Sequence, residues 1–140
     1  MILQNGVGGH FFGGADIPGF IGVPSEEVWI RMYQLGMYMP FFRAHCDINS
    51  TVREPWLQTM RVQAAIRDAI NRRYDMIHYI YTAFRYATKT GVPIMRTMWH
   101  EFPDLSYLTT IDSQFMLGDS MLVAPKVITP TDVLEALKMQ

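Results

Sequence analysis

Charge is scarce in this 140-residue chain. Only 18% of its residues are Asp, Glu, Lys or Arg, against the roughly 25% usual for soluble proteins. Twelve basic and thirteen acidic side chains leave a net charge of −1. With no Lys/Arg block there is no electrostatic footprint for a phosphate backbone or an anionic membrane surface, so nucleic acid is not an expected partner. Cysteine is nearly absent: Cys46 stands alone and cannot form an internal disulfide. Gly, Gln, Arg or Pro interrupts every apolar stretch before about 18 residues, so no membrane span is expected. The segment from Met1 to Gly14 has no basic region and no cleavage pattern, and does not read as a secretory signal. Repeats and low-complexity tracts are also missing.

What is present is apolar: 49% of the residues are hydrophobic and 13% aromatic, which excludes a disordered or collagen-like chain. Length allows one domain at most. From Met1 to Ser25 the only charged residue is Asp16, and none occurs from Tyr33 to Phe42. A small free-standing domain must offer water more polar surface than that, so these stretches point to a piece of a larger core.

Seven of the ten glycines lie between Gly6 and Gly22, interleaved with Phe11, Phe12, Ile17, Phe20 and Ile21, a mixture expected of a buried strand bordered by tight turns. A dinucleotide-binding G-x-G-x-x-G starting at Gly6 would need glycine at position 11, which is Phe11. Ser25 can cap a helix over 26–35, with Glu26 and Glu27 opposing its positive end, Val28, Met32 and Leu35 as its apolar stripe, and Gly36 as its stop. An extended run from Pro40 to Cys46 and a loop through Trp56 follow. From Leu57 to Thr90, Ile66, Ile70, Tyr74, Ile77, Tyr81, Phe84 and Ala87 recur every three or four residues, which predicts one helix of roughly 50 Å ending at Gly91 and Pro93. Extended runs are expected at 94–99, 115–117 and 121–124, the last two forming a hairpin across Gly118-Asp119-Ser120. The order amounts to two βα units and a separate β element, in an α/β fold that could be a doubly wound sheet or a barrel.

Asp16 sits where the first strand should pass into a Pro-Gly turn, at the strand end where ligand chemistry collects in parallel α/β folds. It could bind a substrate or orient a partner, or simply satisfy turn amides. Period-two alternation puts Arg43, His45 and Asp47 on one strand face. That combination suits vicinal sugar hydroxyls, each both donor and acceptor; the structural alternative is an ion pair of Arg43 with Asp16 or Asp47. His45, Cys46 and Asp47 alternate faces and have no second ligand cluster, so no metal site is expected. Phe20 could stack on a sugar, whereas Tyr74, Tyr81 and Phe84 read as core. His10, His78 and His100 read as structural or solvated, and no serine sits in a nucleophile elbow.

The runs Gly14-Ala15-Asp16-Ile17-Pro18-Gly19-Phe20, Pro40-Phe41-Phe42-Arg43-Ala44-His45 and Arg53-Glu54-Pro55-Trp56 resemble the α-glucosidases of glycoside hydrolase family 31. Pro93-Ile94-Met95-Arg96 with Glu101-Phe102-Pro103 agrees, as does Gln114-Phe115-Met116-Leu117-Gly118-Asp119 with Leu122-Val123-Ala124-Pro125. The resemblance implies the last two βα units of a (β/α)8 barrel over 1–92 and the start of a C-terminal β-sandwich over 93–140. It implies retaining hydrolysis of terminal α-linked glucose without a cofactor. Asp16, Phe20, Arg43 and His45 would be substrate-binding. No catalytic residue is expected here, because the nucleophile motif Trp-x-Asp-Met-Asn-Glu and the acid/base segment match nothing in the chain, and the chain alone should be inactive. The likeness is nearest to the endoplasmic-reticulum branch, which implies a lumenal parent and, within that branch, a non-catalytic β subunit as partner. A non-catalytic, carbohydrate-binding or self-associating fragment is the reading from another class. Residues 128–140 match no named motif.

Overall fold

The computed structural model describes residues 1–126; the segment 128–140 lies outside them. Two parallel strands, β1 (Asp16–Ile17) and β2 (Arg43–Ala44), are joined through helix α2 (Glu26–Gly36). Their pairing runs further than their length implies. The Phe41 amide donates to Gly13 O at 3.0 Å, His45 to Ile17 O at 3.2 Å and Asp47 to Phe20 O at 2.9 Å. A short 3-10 turn (Pro55–Leu57) leads into α3 (Met60–Asp75), so each strand is followed by a helix.

Period two decides which way β1 faces. Ile17 is fully buried against Trp29, Ile30 and Tyr33 of α2 and Val62, Ile66 and Ala69 of α3, a burial worth about 1.5–3 kcal/mol for one such side chain. Asp16 therefore points to the opposite face of the sheet. The Ser25 hydroxyl accepts from the Val28 amide at 3.4 Å, capping α2 as expected. The buried residues of α2 are Trp29, Ile30, Tyr33 and Gly36; of the expected stripe, Met32 and Leu35 are partly buried against the cores and Val28 is not. The larger aromatic side chains take the core face and Val28 is left exposed. Gly36 is the last residue of the helix, but Met37 caps it in a right-handed conformation. Gly36 serves packing instead: a Cβ there would collide with Ile17 Cδ1 and stand 3.1 Å from the Phe42 ring.

The single long helix is two. α3 ends at Asp75 and α4 (Ile77–Thr90) begins after Met76, whose φ of −92° and ψ of −4° depart from helical values. Met76 packs against the two larger apolar clusters of the molecule. The break lets α3 cover the β1 side while α4 covers a second core built from Ile80, Ala87, Ile94, Phe115 and Leu117. Tyr74, Ile77 and Tyr81 lie to one side of the stripe that Val62, Ile66, Ala69, Ile80 and Ala87 bury, and are exposed rather than buried, Tyr81 to 77%. Phe84 does pack on the core. Gly91 ends α4 in the left-handed conformation, as expected.

No buried strand fills 6–22 beyond β1; its first part is helix α1 (Ile2–Val7). The run at 94–99 is half strand, β3 (Met95–Thr97), and half helix, α5 (Met98–Glu101), with Thr97 accepting from the His100 amide at 3.3 Å. A 3-10 turn (Ser106–Thr110) precedes β4 (Phe115–Leu117) and β5 (Met121–Val123), the expected hairpin. With β3 they form an antiparallel sheet in the order β3-β4-β5. The Tyr79 hydroxyl donates to Leu117 O at 2.6 Å and binds α4 to this sheet. Arg73 of α3 donates to the carbonyls of Met37, Met39 and Pro40 at 2.6–2.9 Å. It thereby closes the end of α2 and sets the entry to β2, and its burial lowers the guanidinium pKa below the ordinary value.

Candidate functional site

The register of the parallel ladder aligns Asp16 with Arg43 and Ile17 with Ala44. With Ile17 turned into the helix layer, Asp16 and Arg43 share the other face. Arg43 Nε donates to Asp16 Oδ1 at 2.9 Å and Nη2 lies 2.8 Å from the same oxygen. The ion pair offered as the structural alternative is thus present, and it does not remove the chemistry. Both contacts fall on Oδ1, and no hydrogen bond among the described residues engages Oδ2, which remains an acceptor beside the guanidinium donors. Arg43 also lies 5.2 Å from the centroid of the Phe41 ring.

One step beyond the strands, the Phe20 and His45 rings approach to 5.6 Å at 39°. Asp16, Phe20, Arg43 and His45 are therefore gathered at the carboxyl ends of β1 and β2. Phe20 is 46% exposed and His45 is exposed. Asp47 does not join them, because its carboxylate accepts from the Asn49 amide at 3.2 Å in a local turn. His45 also borders a hollow of about 460 Å³ with Asp47, Ser50, Arg53, Glu54 and Trp56. One carboxylate oxygen of Glu54 is buried there without a hydrogen-bond partner. Among the described residues no three His, Cys, Asp or Glu side chains could hold a metal ion, and no helix is long and apolar enough to cross a membrane.

The arrangement presents an anionic acceptor, a forked donor, an imidazole that can do either, and an aromatic face. Sugar hydroxyls and the apolar C–H face of a pyranose ask for those four. The residue that sequence reasoning missed is Arg53. Its motif, Arg53-Glu54-Pro55-Trp56, was legible, but its partners lie 31 and 34 residues away. No local pattern reveals them.

Parallel strands each followed by a helix, with ionisable and aromatic side chains beyond their carboxyl ends, define the class: part of a parallel α/β protein. Residues 1–83 match the glycosyl hydrolases family 31 TIM-barrel domain, and residues 91–135 match the glycosyl hydrolase family 31 C-terminal domain. The chain belongs to glycoside hydrolase family 31. It is 44% identical over 125 residues to neutral alpha-glucosidase AB of Sus scrofa, covering 89% of this chain and 13% of that protein. Two crystal structures are 37% identical over 92% of this chain and 14% of theirs. One is the glucosidase II alpha subunit in a Glc1Man2-bound form, with a TM-score of 0.88. The other is the heterodimeric complex of the endoplasmic-reticulum glucosidase II catalytic subunit with the binding domain of its regulatory subunit, with a TM-score of 0.87. The chain thus spans about an eighth of the length of the relatives it matches.

Proposed function

We propose that this chain supplies the last two βα units of the barrel, over 1–92, and the start of the C-terminal β-sandwich, over 93–140, of a retaining α-glucosidase. Asp16, Phe20, Arg43 and His45 form one wall of its sugar pocket. The observation that carries this reading is the convergence of those four side chains at two adjacent parallel strand ends, with Asp16 Oδ2 left to accept a hydroxyl.

Retaining hydrolysis needs two carboxylates about 5 Å apart, one as nucleophile and one as acid and then base. Asp16 is the only carboxylate in the cluster, and the guanidinium on its Oδ1 suits it to orienting a hydroxyl rather than attacking carbon. The nucleophile and the acid/base belong to other segments of the parent, so this chain contributes binding and orientation. The substrate is a terminal α-linked glucose on a glycan or oligosaccharide. The likeness to glucosidase II supports a parent in the endoplasmic-reticulum lumen with a non-catalytic β subunit as partner. In the full-length parent, His45→Ala should raise KM and lower kcat on an α-glucoside; wild-type kinetics would overturn the assignment.

A second reading, a self-associating fragment without hydrolase activity, is favoured by one observation. Ile48, Ile21 and Trp56 are 94%, 80% and 70% exposed in the segments that follow β1 and β2, and a two-stranded sheet leaves outer backbone unpaired, which invites association. Size-exclusion chromatography of the isolated chain separates a monomer from that outcome.

A further inference from the structure

The loop that carries Phe20 has almost nothing apolar to hold it. Ile21 and Val23 point into solvent, and Gly19 and Gly22 on either side of Phe20 adopt φ of +140° and +83°, so the backbone has unusual freedom there. What fixes it is polar and comes from the loop after β2. Arg53, 4% exposed, donates from Nε and Nη2 to Gly19 O at 3.2 and 3.1 Å, and from Nη2 to Gly22 O at 3.0 Å. Its Nη1 donates to Thr51 O and Oγ1 at 2.5 and 2.6 Å. Ser50 Oγ accepts from the Gly22 amide at 3.0 Å and donates to Phe20 O at 3.2 Å.

Among the described residues Arg53 has no carboxylate partner: its charge is satisfied by carbonyls and a hydroxyl. A buried guanidinium without a counter-ion is expensive, and this one spans both glycines that flank Phe20. We propose that Arg53 is a positioning residue, a clamp that fixes the Gly19–Gly22 loop and thereby sets the Phe20 ring against His45. Being buried, it acts on a sugar only through Phe20. That consequence rests on the pocket reading given above; the clamp itself does not.

The test uses the full-length parent with Arg53→Lys, which keeps the charge and loses the planar fork. Hydrogen exchange over 19–23 should accelerate by about tenfold or more while α4 is unchanged. KM for an α-linked disaccharide should rise about five- to tenfold, with kcat on an aryl α-glucoside within about twofold. In a Phe20→Ala background, Arg53→Lys should add no further KM loss, whereas a merely structural residue would give additive effects. Should Arg53→Lys fail to fold, Ser50→Ala removes the clamp's other arm and should shift exchange and KM in the same direction, by about two- to fivefold. Unchanged exchange in the loop, or additive KM effects, overturns the proposal. Accelerated exchange with wild-type KM in Phe20→Ala upholds the clamp and overturns the pocket reading instead.

Discussion

Asp16 and Arg43 are aligned partners in the parallel ladder, and both guanidinium contacts of 2.8 and 2.9 Å fall on a single carboxylate oxygen. The strand register therefore fixes the pair before any ligand arrives, and it leaves the second oxygen free to bind. Because the pair is partly exposed, its contribution to stability is small, about 1 kcal/mol or less.

Asp16→Asn in the full-length parent should accordingly lower kcat/KM on an α-glucoside by about 10- to 100-fold, the loss of a hydrogen bond to a charged group, while the unfolding midpoint barely moves. Steady-state kinetics and a thermal melt decide it. A lowered melt with wild-type kinetics would make the pair purely structural.

Gly36→Ala should destabilise by about 1–3 kcal/mol, because the new methyl group would have to displace Ile17 and Phe42 in a packed core. Urea unfolding of the parent, followed by tryptophan fluorescence, reads this. Unchanged stability would mean that α2 can move away from β1 without cost.

The isolated 140-residue chain should not hydrolyse an aryl α-glucoside above background, since the two-carboxylate mechanism finds only Asp16 in the cluster. Measured turnover by the purified chain would contradict the division of labour proposed here.

Burial raises the Tyr33 hydroxyl above its ordinary pKa of 10.0. Below about pH 10 the side chain is neutral in both states and its contribution is complete. Above that, the unfolded chain ionises first, so stability falls until pH passes the raised folded value. Tyr33→Phe should remove this alkaline loss, with the stacking on Trp29 at 6.0 Å kept in place. Urea midpoints at pH 9 to 11 for both proteins would show it, and parallel losses would reject it.

What could be read from the sequence was local. The Ser25 cap, the stop at Gly91 and the hairpin across Gly118 each depend on a few adjacent residues, and each has its place in the structure. The break at Met76 carries no glycine or proline to announce it; two cores pulling on successive helices produce it. Tyr74 and Tyr81 fit a spacing of three or four, yet they fall beside the stripe that Val62, Ile66, Ala69, Ile80 and Ala87 bury, and spacing alone does not say which stripe meets a core. At the site, residue types and strand ends were legible, but the ion pair's geometry and the role of Arg53 depend on distant segments meeting.

The cluster beneath α4 takes Ile80 from one matched family region and Ile94, Phe115 and Leu117 from the next, with Ala87 between the two, and α1 packs on β3 from the far end of the chain. The gap between the two matched regions, 84–90, is thus a join in sequence but not in space. A chimera that exchanged C-terminal domains between relatives at that join would graft one protein's floor under another's walls. Recombination within this family should tolerate a crossover only where these side chains travel together.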